Sequence, residues 1–394
     1  MPRFPSPAGT TASLSAGVFS GLTARLKNHP GPIYPLHVGD TWREPYVGAR
    51  ADEQHGPLIH TYAPVQGEPR LLAAMAARVL ARTGVSLDPE AACVVSGATS
   101  GLSVVVQAVL DPGDEVLLPA PYWPLIRGII ASRGARPVEV PLWDRLGDPD
   151  FDPEGALEAA VTPRTAAIYV NSPSNPIGAM LGPDHAAAVA RVAERHGLWV
   201  ISDEVYEELY YGPSAPESFW ARPDVRHRAI VAHSLSKAYG LAGARVGFVH
   251  GPAEVMRAIR AVQTFQVYCA PRPMQLGAIR ALNEGDDWLA ETRALYGAAA
   301  RVTAEAFGVP APPAGTFLVF DAARWLPDDA PDATPFLYRC LDEAGVLLTP
   351  GSASGAAYAR WVRVCFTSVA PEVLRAALAA LAPVLATASR EVPR

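Results

Sequence analysis

A chain of 394 residues, with 49% hydrophobic and 18% charged residues, is too long for one simple core and suits two packed domains, not a disordered polymer. The 33 Lys and Arg against 39 Asp and Glu leave a net charge of -6, which offers no field to phosphate backbones or anionic lipid and sets nucleic acid and membrane aside as partners. Cys93, Cys269, Cys340 and Cys365 stand far apart and the nine histidines form no His-Glu-x-x-His pattern, so the thiols read as reduced and no metal site is expected.

In chain order, Arg3 is surrounded by Pro2, Pro5 and Pro7, and the apolar stretch at Val18-Phe19 is too short for a signal-peptide core, so a cytoplasmic location is expected. The first forty or so residues are rich in Pro, Gly and Ser, with one amphipathic piece near Val18 to Leu26 that suits an arm laid on a partner subunit. After the turn Gln66-Gly67-Glu68-Pro69, Leu72, Met75 and Val79 recur at helical spacing. Apolar runs then alternate with helical stretches: Cys93-Val95, Val116-Leu118, Ala167-Val170, Leu198-Ile201, Ile230-Ala232 and Val246-Val249. Runs that are apolar throughout predict strands covered on both faces, hence an α/β fold whose large domain is a three-layer sandwich around a mostly parallel sheet.

Beyond Asn283 the pattern loosens into helices, a Pro-rich turn at Pro310-Pro313, and short strands near Phe317-Val319 and Val362-Val364, which predict a smaller α+β domain built from both termini. The last helix carries Leu374, Leu378, Leu381 and Leu385 on one face, with Ser368 as its expected N-cap and Pro371 in its first turn. The expected division is residues 1–45 as arm and part of the small domain, 46–283 as the large domain and 284–394 as the small one.

The chemistry concentrates in Ser234-Leu235-Ser236-Lys237-Ala238-Tyr239-Gly240-Leu241 and on to Arg245-Val246-Gly247, directly after a buried strand. An ammonium there loses hydration, so the lysine must find counter-charges, give up its proton or be consumed in an imine. Two hydroxyls before it and an arginine after it suit a phosphate monoester. An isolated Ser-x-x-Lys reads as a surface turn, but three other segments sit at strand ends. Ser202-Asp203-Glu204-Val205-Tyr206 puts a carboxylate at the C-terminal end of a strand, where α/β folds build their sites. Asn171-Ser172-Pro173-Ser174-Asn175-Pro176-Ile177-Gly178 is a turn whose Asn175 amide can donate to a phenolate oxygen. Ser96-Gly97-Ala98-Thr99-Ser100-Gly101 is a small-residue loop opening a helix, with free backbone N–H groups for an anion.

In order and over nearly the whole chain, these segments resemble the class I/II aminotransferases, the aspartate-aminotransferase-like branch of pyridoxal-phosphate fold type I. The resemblance implies a cytoplasmic homodimer of amino acid metabolism and biosynthesis, with pyridoxal 5'-phosphate as cofactor and an amino acid and a 2-oxo acid as substrates. Lys237 would hold the cofactor as an imine and serve as the base. Ser234, Ser236 and Arg245 would hold its phosphate with Gly97, Ala98 and Thr99. Asp203 would pair with the pyridine nitrogen, Asn175 and Tyr206 with the phenolate oxygen, and Trp123 would stack on the ring. Arg363, in Trp361-Val362-Arg363-Val364, and Gly39, with Asn175, would bind the substrate carboxylate, and Tyr62 would reach the phosphate of the neighbouring subunit.

The chain departs from the family pattern at Thr41-Trp42 and at Pro350-Gly351-Ser352-Ala353-Ser354-Gly355, both near the expected substrate side chain. The register of Arg272, in the region where acidic-substrate relatives place an arginine, is not fixed by sequence, and Trp42, Tyr34 and Tyr268 suit an apolar pocket as well as core or interface packing. A lyase, decarboxylase or oxidative enzyme of the same fold stays open at this level, as does a regulatory protein on an inherited fold. A nicotinamide enzyme has no Gly-x-Gly-x-x-Gly after a strand to support it.

Overall fold

The computed structural model describes residues 8–11, 14 and 23–387, so Val18-Phe19 and the prolines at 2, 5 and 7 lie outside the described residues. The arm's described part includes a short helix, Thr23–Asn28. In chain order the strands are β1 (Tyr34–Pro35), β2 (Ala92–Val95), β3 (Glu115–Ala120), β4 (Arg136–Pro141), β5 (Thr165–Asn171), β6 (Trp199–Asp203), β7 (Ala229–Ser234), β8 (Gly247–His250), β9 (Phe317–Asp321), β10 (Val346–Leu347), β11 (Thr349–Pro350) and β12 (Trp361–Cys365).

Strands β2 to β8 form one sheet in the order β2-β8-β7-β6-β5-β3-β4. All its pairings are parallel except those of β8, which runs against both neighbours. The six apolar runs are all strands of this sheet. The seventh strand was not anticipated: Arg136-Pro137-Val138-Glu139-Val140-Pro141 alternates and holds two prolines, which an edge strand tolerates because its outer N–H groups need no sheet partner.

Period-2 alternation explains why the inner strands are apolar throughout. Val95, Leu118, Ala167 and Ile201 face the helices Ala98–Val109, Pro124–Ser132 and Ala253–Gln266. On the opposite face Leu117, Ile168 and Val200 lie under Pro183–His196, while Val94, Val231 and Phe248 lie under Pro69–Thr83 and Arg272–Glu284. The three layers are therefore helix, sheet and helix. The helix Pro69–Thr83 shows how sequence sets such an element: proline occupies its first turn, where the missing N–H costs nothing, Leu71, Leu72, Met75 and Val79 are buried, and Gly84 ends it at φ 68°. Each fully buried aliphatic side chain contributes roughly 1.5–3 kcal/mol.

A second core gathers Leu36, Phe307, Trp325, Phe336 and Phe366. Its sheet has the order β11-β12-β9, all antiparallel, and β1 pairs in parallel with β10, which ties the N-terminal segment to the C-terminal one. Arg363 thus sits on a middle strand rather than the edge strand that its polarity suggests. The last helix, Pro371–Ala386, buries Leu374, Ala377, Leu381 and Val384. Ser368 does not cap it: proline at the first helical position makes Ala370 the cap, and the Ser368 hydroxyl donates instead to the Cys365 carbonyl at 3.3 Å. Among the described residues, no helix is long and apolar enough to cross a membrane.

Candidate active site

Strand register brings the sequence motifs to one edge. Asn171 lies opposite Asp203, Asp203 opposite Ala232, and Ser234 opposite Gly247, so β5, β6 and β7 all release their loops at the same end of the sheet. There the chain turns through a one-turn helix, Leu235–Ala238, whose N-cap Ser234 accepts the Ser236 N–H at 3.0 Å. Lys237 projects from this turn into a cleft of about 280 Å³. Asp203, Asn175, Tyr206, Ser234, Ser236, Ala98, Thr99, Trp123, Arg245, Gly39 and Arg363 line the same cleft.

At the floor, Asp203 is 3% exposed. The Tyr169 hydroxyl donates to its Oδ2 at 2.6 Å, the Val205 N–H lies 3.4 Å from Oδ1, and Asn171 Nδ2 donates to its backbone carbonyl at 2.9 Å. Burial pushes the Asp203 carboxyl up to about 6 despite the Tyr169 bond, which pulls the other way. Burial likewise pulls Lys237 below the usual lysine range, with Cys365 and Asp40 opposing, and its ammonium donates to the Gly39 carbonyl. Two ionisable groups are thus shifted towards their neutral forms in one cavity, as titratable groups at functional sites often are.

One end of the cleft is shaped for an anion. Gly97 opens the helix Ala98–Val109 at φ 78°, and a Cβ there would stand 2.5 Å from an Arg245 Nη2. Arg245 itself adopts φ 53°, with Nη1 donating to the Ala242 carbonyl at 2.9 Å and Nη2 to that of Ser96 at 3.4 Å. A Cβ on Gly247 would stand 2.5 Å from the His233 carbonyl oxygen and 3.1 Å from the Ala98 nitrogen. The backbone therefore closes around this end only because both positions are glycine.

The other end is built on Arg363, which is 9% exposed. Its Nη1 donates to Asn175 Oδ1 at 3.0 Å, and its Nη2 to the His37 carbonyl at 3.0 Å and to Thr349 Oγ1 at 3.2 Å. The guanidinium lies 4.2 Å from the Phe317 ring centroid, and its buried Nε has no hydrogen-bond partner among the described residues. Between the ends, Asn175 Nδ2 lies 3.4 Å from the Tyr206 hydroxyl.

Some sequence candidates lie elsewhere. Tyr62 is 79% exposed, outside the cleft, with its ring edge-on to Tyr268 at 5.0 Å. Arg272 is held by Glu68 at 2.7 Å and by the Leu58 carbonyl at 3.1 Å, beside the Tyr62 segment and away from the cleft of its own chain. Trp42 and Tyr34 pack against the two cores. Tyr169, Asn171 and Phe317 carry contacts that sequence reasoning did not assign. For Tyr169 a signal existed, since a buried strand tyrosine needs a partner and the i, i+2 rule puts it on the face of Asn171.

Behind the sheet edge, on the opposite side from Asp203, a cavity of about 20 Å³ is lined by Glu204, Glu207, His233 and His250. Ligand atoms of Glu204, Glu207 and His233 lie within 4.8 Å of one another, a grouping the scattered histidines of the sequence did not suggest. Arg82 already pairs with Glu207, and the Glu204 Oε1 accepts from Ser202, Ser218 and the Phe219 N–H at 2.8–3.2 Å. Positive charge and several donors are thus supplied from within, while Glu204 Oε2 and His250 Nδ1 have no hydrogen-bond partner among the described residues.

With fold and cleft in place, comparisons with known proteins agree. The family described as aminotransferase class I and II matches residues 43–381. The chain is 33% identical over 377 residues to an aspartate/prephenate aminotransferase of Thermus thermophilus, covering 93% of this chain and 92% of that one. It is 32% identical over 324 residues to an aspartate aminotransferase of Streptomyces avermitilis, 78% of each chain. The solved N-succinyldiaminopimelate aminotransferase of Mycobacterium tuberculosis superposes with a TM-score of 0.87 at 29% identity, over 96% of this chain and all of that one. The chain belongs to the class I and II aminotransferases and is an aminotransferase.

Proposed function

We propose that the cleft binds pyridoxal 5'-phosphate and that the enzyme uses it to carry an amino group between an amino acid and a 2-oxo acid. The observation that carries this reading is the placement of Lys237 and Asp203 in one cavity between two arginines, Arg245 at one end and Arg363 at the other. The glycine-closed bay at Gly97, the buried Asp203 carboxyl and the open Nε of Arg363 all fit the group and its substrate. Arg245, Ser234 and Ser236, with backbone of Gly97, Ala98 and Thr99, would hold the phosphate. Asp203 would face the pyridine nitrogen, Asn175 and Tyr206 the phenolate oxygen, and Trp123 the ring face.

Bound there, the cofactor supplies an electron sink for charge developing on the substrate α-carbon. Lys237 Nζ is the base: its lowered pKa leaves a larger fraction unprotonated at neutral pH, ready to accept the α-proton. Arg363, with Gly39, would bind the substrate carboxylate through the N–H groups that Asn175, His37 and Thr349 leave over, Nε among them, and so orient the α-carbon. Asp203 would stabilise a protonated pyridine nitrogen, and that charge would in turn favour the ionised carboxylate against its burial. Relatives named for aspartate, prephenate, N-succinyldiaminopimelate and arginine differ in the side-chain end of the substrate and support only the shared amino acid part.

We read the exposed Tyr62–Tyr268 pair, with Leu58 and Phe265 at 67% and 91% exposure, as the face of a homodimer in which Tyr62 reaches the partner's phosphate. The unpaired cysteines suit the cytoplasm. A panel of amino acids, followed by loss of the lysine-bound cofactor's absorbance and recovery with 2-oxo acids, tests the activity. Conversion with at least one donor is expected; no conversion with any donor overturns it in favour of a lyase or oxidase.

A further inference from the structure

The loop that departs from the family pattern, Pro350 to Gly355, is tied to the large sheet by contacts that the proposed chemistry does not use. Thr349, which accepts from Arg363, lies opposite it across β11 and β12. The chain then runs into the loop, where the Ser354 carbonyl accepts the Tyr122 N–H at 3.0 Å. Tyr122 immediately precedes Trp123 and is 3% exposed. Its hydroxyl donates to Glu139 Oε1 at 2.6 Å, and the other oxygen of that carboxylate accepts the Ala356 N–H at 3.0 Å. Two residues on, the Tyr358 hydroxyl donates to Asp144 Oδ1 at 2.7 Å, with its ring edge-on to Trp361 at 5.2 Å. Gly355, at φ 144°, allows this seating: a Cβ there would meet the Tyr358 ring at 2.9 Å.

Only six residues separate Thr349, the partner of Arg363, from Ala356, the partner of Glu139. The carboxylate uses one oxygen on each side of the seam, and charge-assisted bonds of this kind are roughly twice as strong as neutral ones. We infer that Glu139 is a positioning residue for the reaction: by clamping the Ser354–Ala356 loop to the Tyr122–Trp123 turn, it holds Arg363 at a fixed distance from the Trp123 wall of the cleft. Substrate positioned between the two needs that distance, because a misplacement of about 1 Å costs on the order of 10²-fold in rate or binding. The inference rests on the reading that Arg363 takes the substrate carboxylate.

The test uses the holoenzyme and the fastest donor among aspartate, alanine, arginine and phenylalanine. In Glu139→Ala both bonds are lost, and the KM for that donor, measured at saturating cofactor, is expected to rise about tenfold while kcat changes less than about threefold. Glu139→Gln is the rescue: its amide oxygen still accepts from Ala356 and its NH2 donates to the Tyr122 hydroxyl, so KM returns to within about threefold of wild type. Should Glu139→Ala not fold, Tyr122→Phe removes one bond alone and is expected to raise KM about threefold. An unchanged KM in either truncated variant, or a Gln variant as impaired as the Ala variant, overturns the inference. Arg363→Lys, run in parallel, separates the two layers: a raised KM there with none in Glu139→Ala sinks the clamp alone, and an unchanged KM in Arg363→Lys sinks the carboxylate reading beneath it.

Discussion

The guanidinium of Arg363 and the side-chain amide of Asn175 are joined directly, Nη1 donating to Oδ1 at 3.0 Å. The amide's oxygen is thereby committed to Arg363, which leaves its NH2 to face the Tyr206 hydroxyl 3.4 Å away. One amide therefore links the carboxylate end of the cleft to its middle, and the orientation of each group depends on the other.

Replacing Arg363 by lysine keeps the charge but loses the planar fork and the bond that orients Asn175. The KM for amino acids is expected to rise about 10²-fold, with the cofactor's affinity little changed. Steady-state kinetics beside a cofactor titration check it; loss of cofactor without a change in KM would count against a substrate role.

Lys237→Ala removes the proposed base and the cofactor's anchor. The half-reaction is expected to slow by ~10³-fold or more, and the absorbance of the lysine-bound cofactor to disappear. A variant that turns over at the wild-type rate sinks the proposed mechanism.

Asp203 gives a prediction whose sign follows from its environment. Folded, the carboxyl keeps its proton to about 6, whereas in an unfolded chain it loses it near ~4. Between those values the folded state binds more protons, so the cofactor-free protein loses stability as pH rises through that window, by at most ~3 kcal/mol. Asp203→Asn avoids this cost. Without cofactor, its Tm is expected to exceed that of the wild type at pH 7.5, with the gap closing at pH 4, while kcat falls about 10²-fold. Melting curves at the two pH values decide it, and a gap that widens on acidification contradicts the burial argument.

Tyr62 tests the shared site. Lys237→Ala and Tyr62→Ala homodimers are both expected to be impaired, but mixing them after mild dissociation should restore about one quarter of wild-type sites, because a hybrid holds one intact pair. No recovery in a mixture shown to contain hybrids would place Tyr62 outside the neighbouring site.

The sequence made the grouping of Asp203 and Lys237 legible because each belongs to a contiguous motif at the end of an apolar strand, Asp203 closing β6 and Lys237 just after β7. Arg363 could be named but not placed. Its polarity reads as a solvated edge, and only the pairing of β12 with β9 and β11 shows it buried over Phe317. Tyr169 escaped because its role depends on a diagonal contact between neighbouring strands, which register decides and composition does not. The strand β4 escaped because its prolines argue against a sheet interior and say nothing against an edge. Ser368 was misplaced by a cap rule that the proline three residues later overrides.

That same β4 has a consequence for how the molecule meets others. Pro137 and Pro141 interrupt its row of amide donors, and exposed Arg136 sets a charge at its start. An incoming extended peptide would find gaps where it needs bonds, so the sheet cannot lengthen at that margin by recruiting a foreign strand. Self-association is left to interlocking side chains, and a partly unfolded molecule has one fewer template from which to seed fibrils.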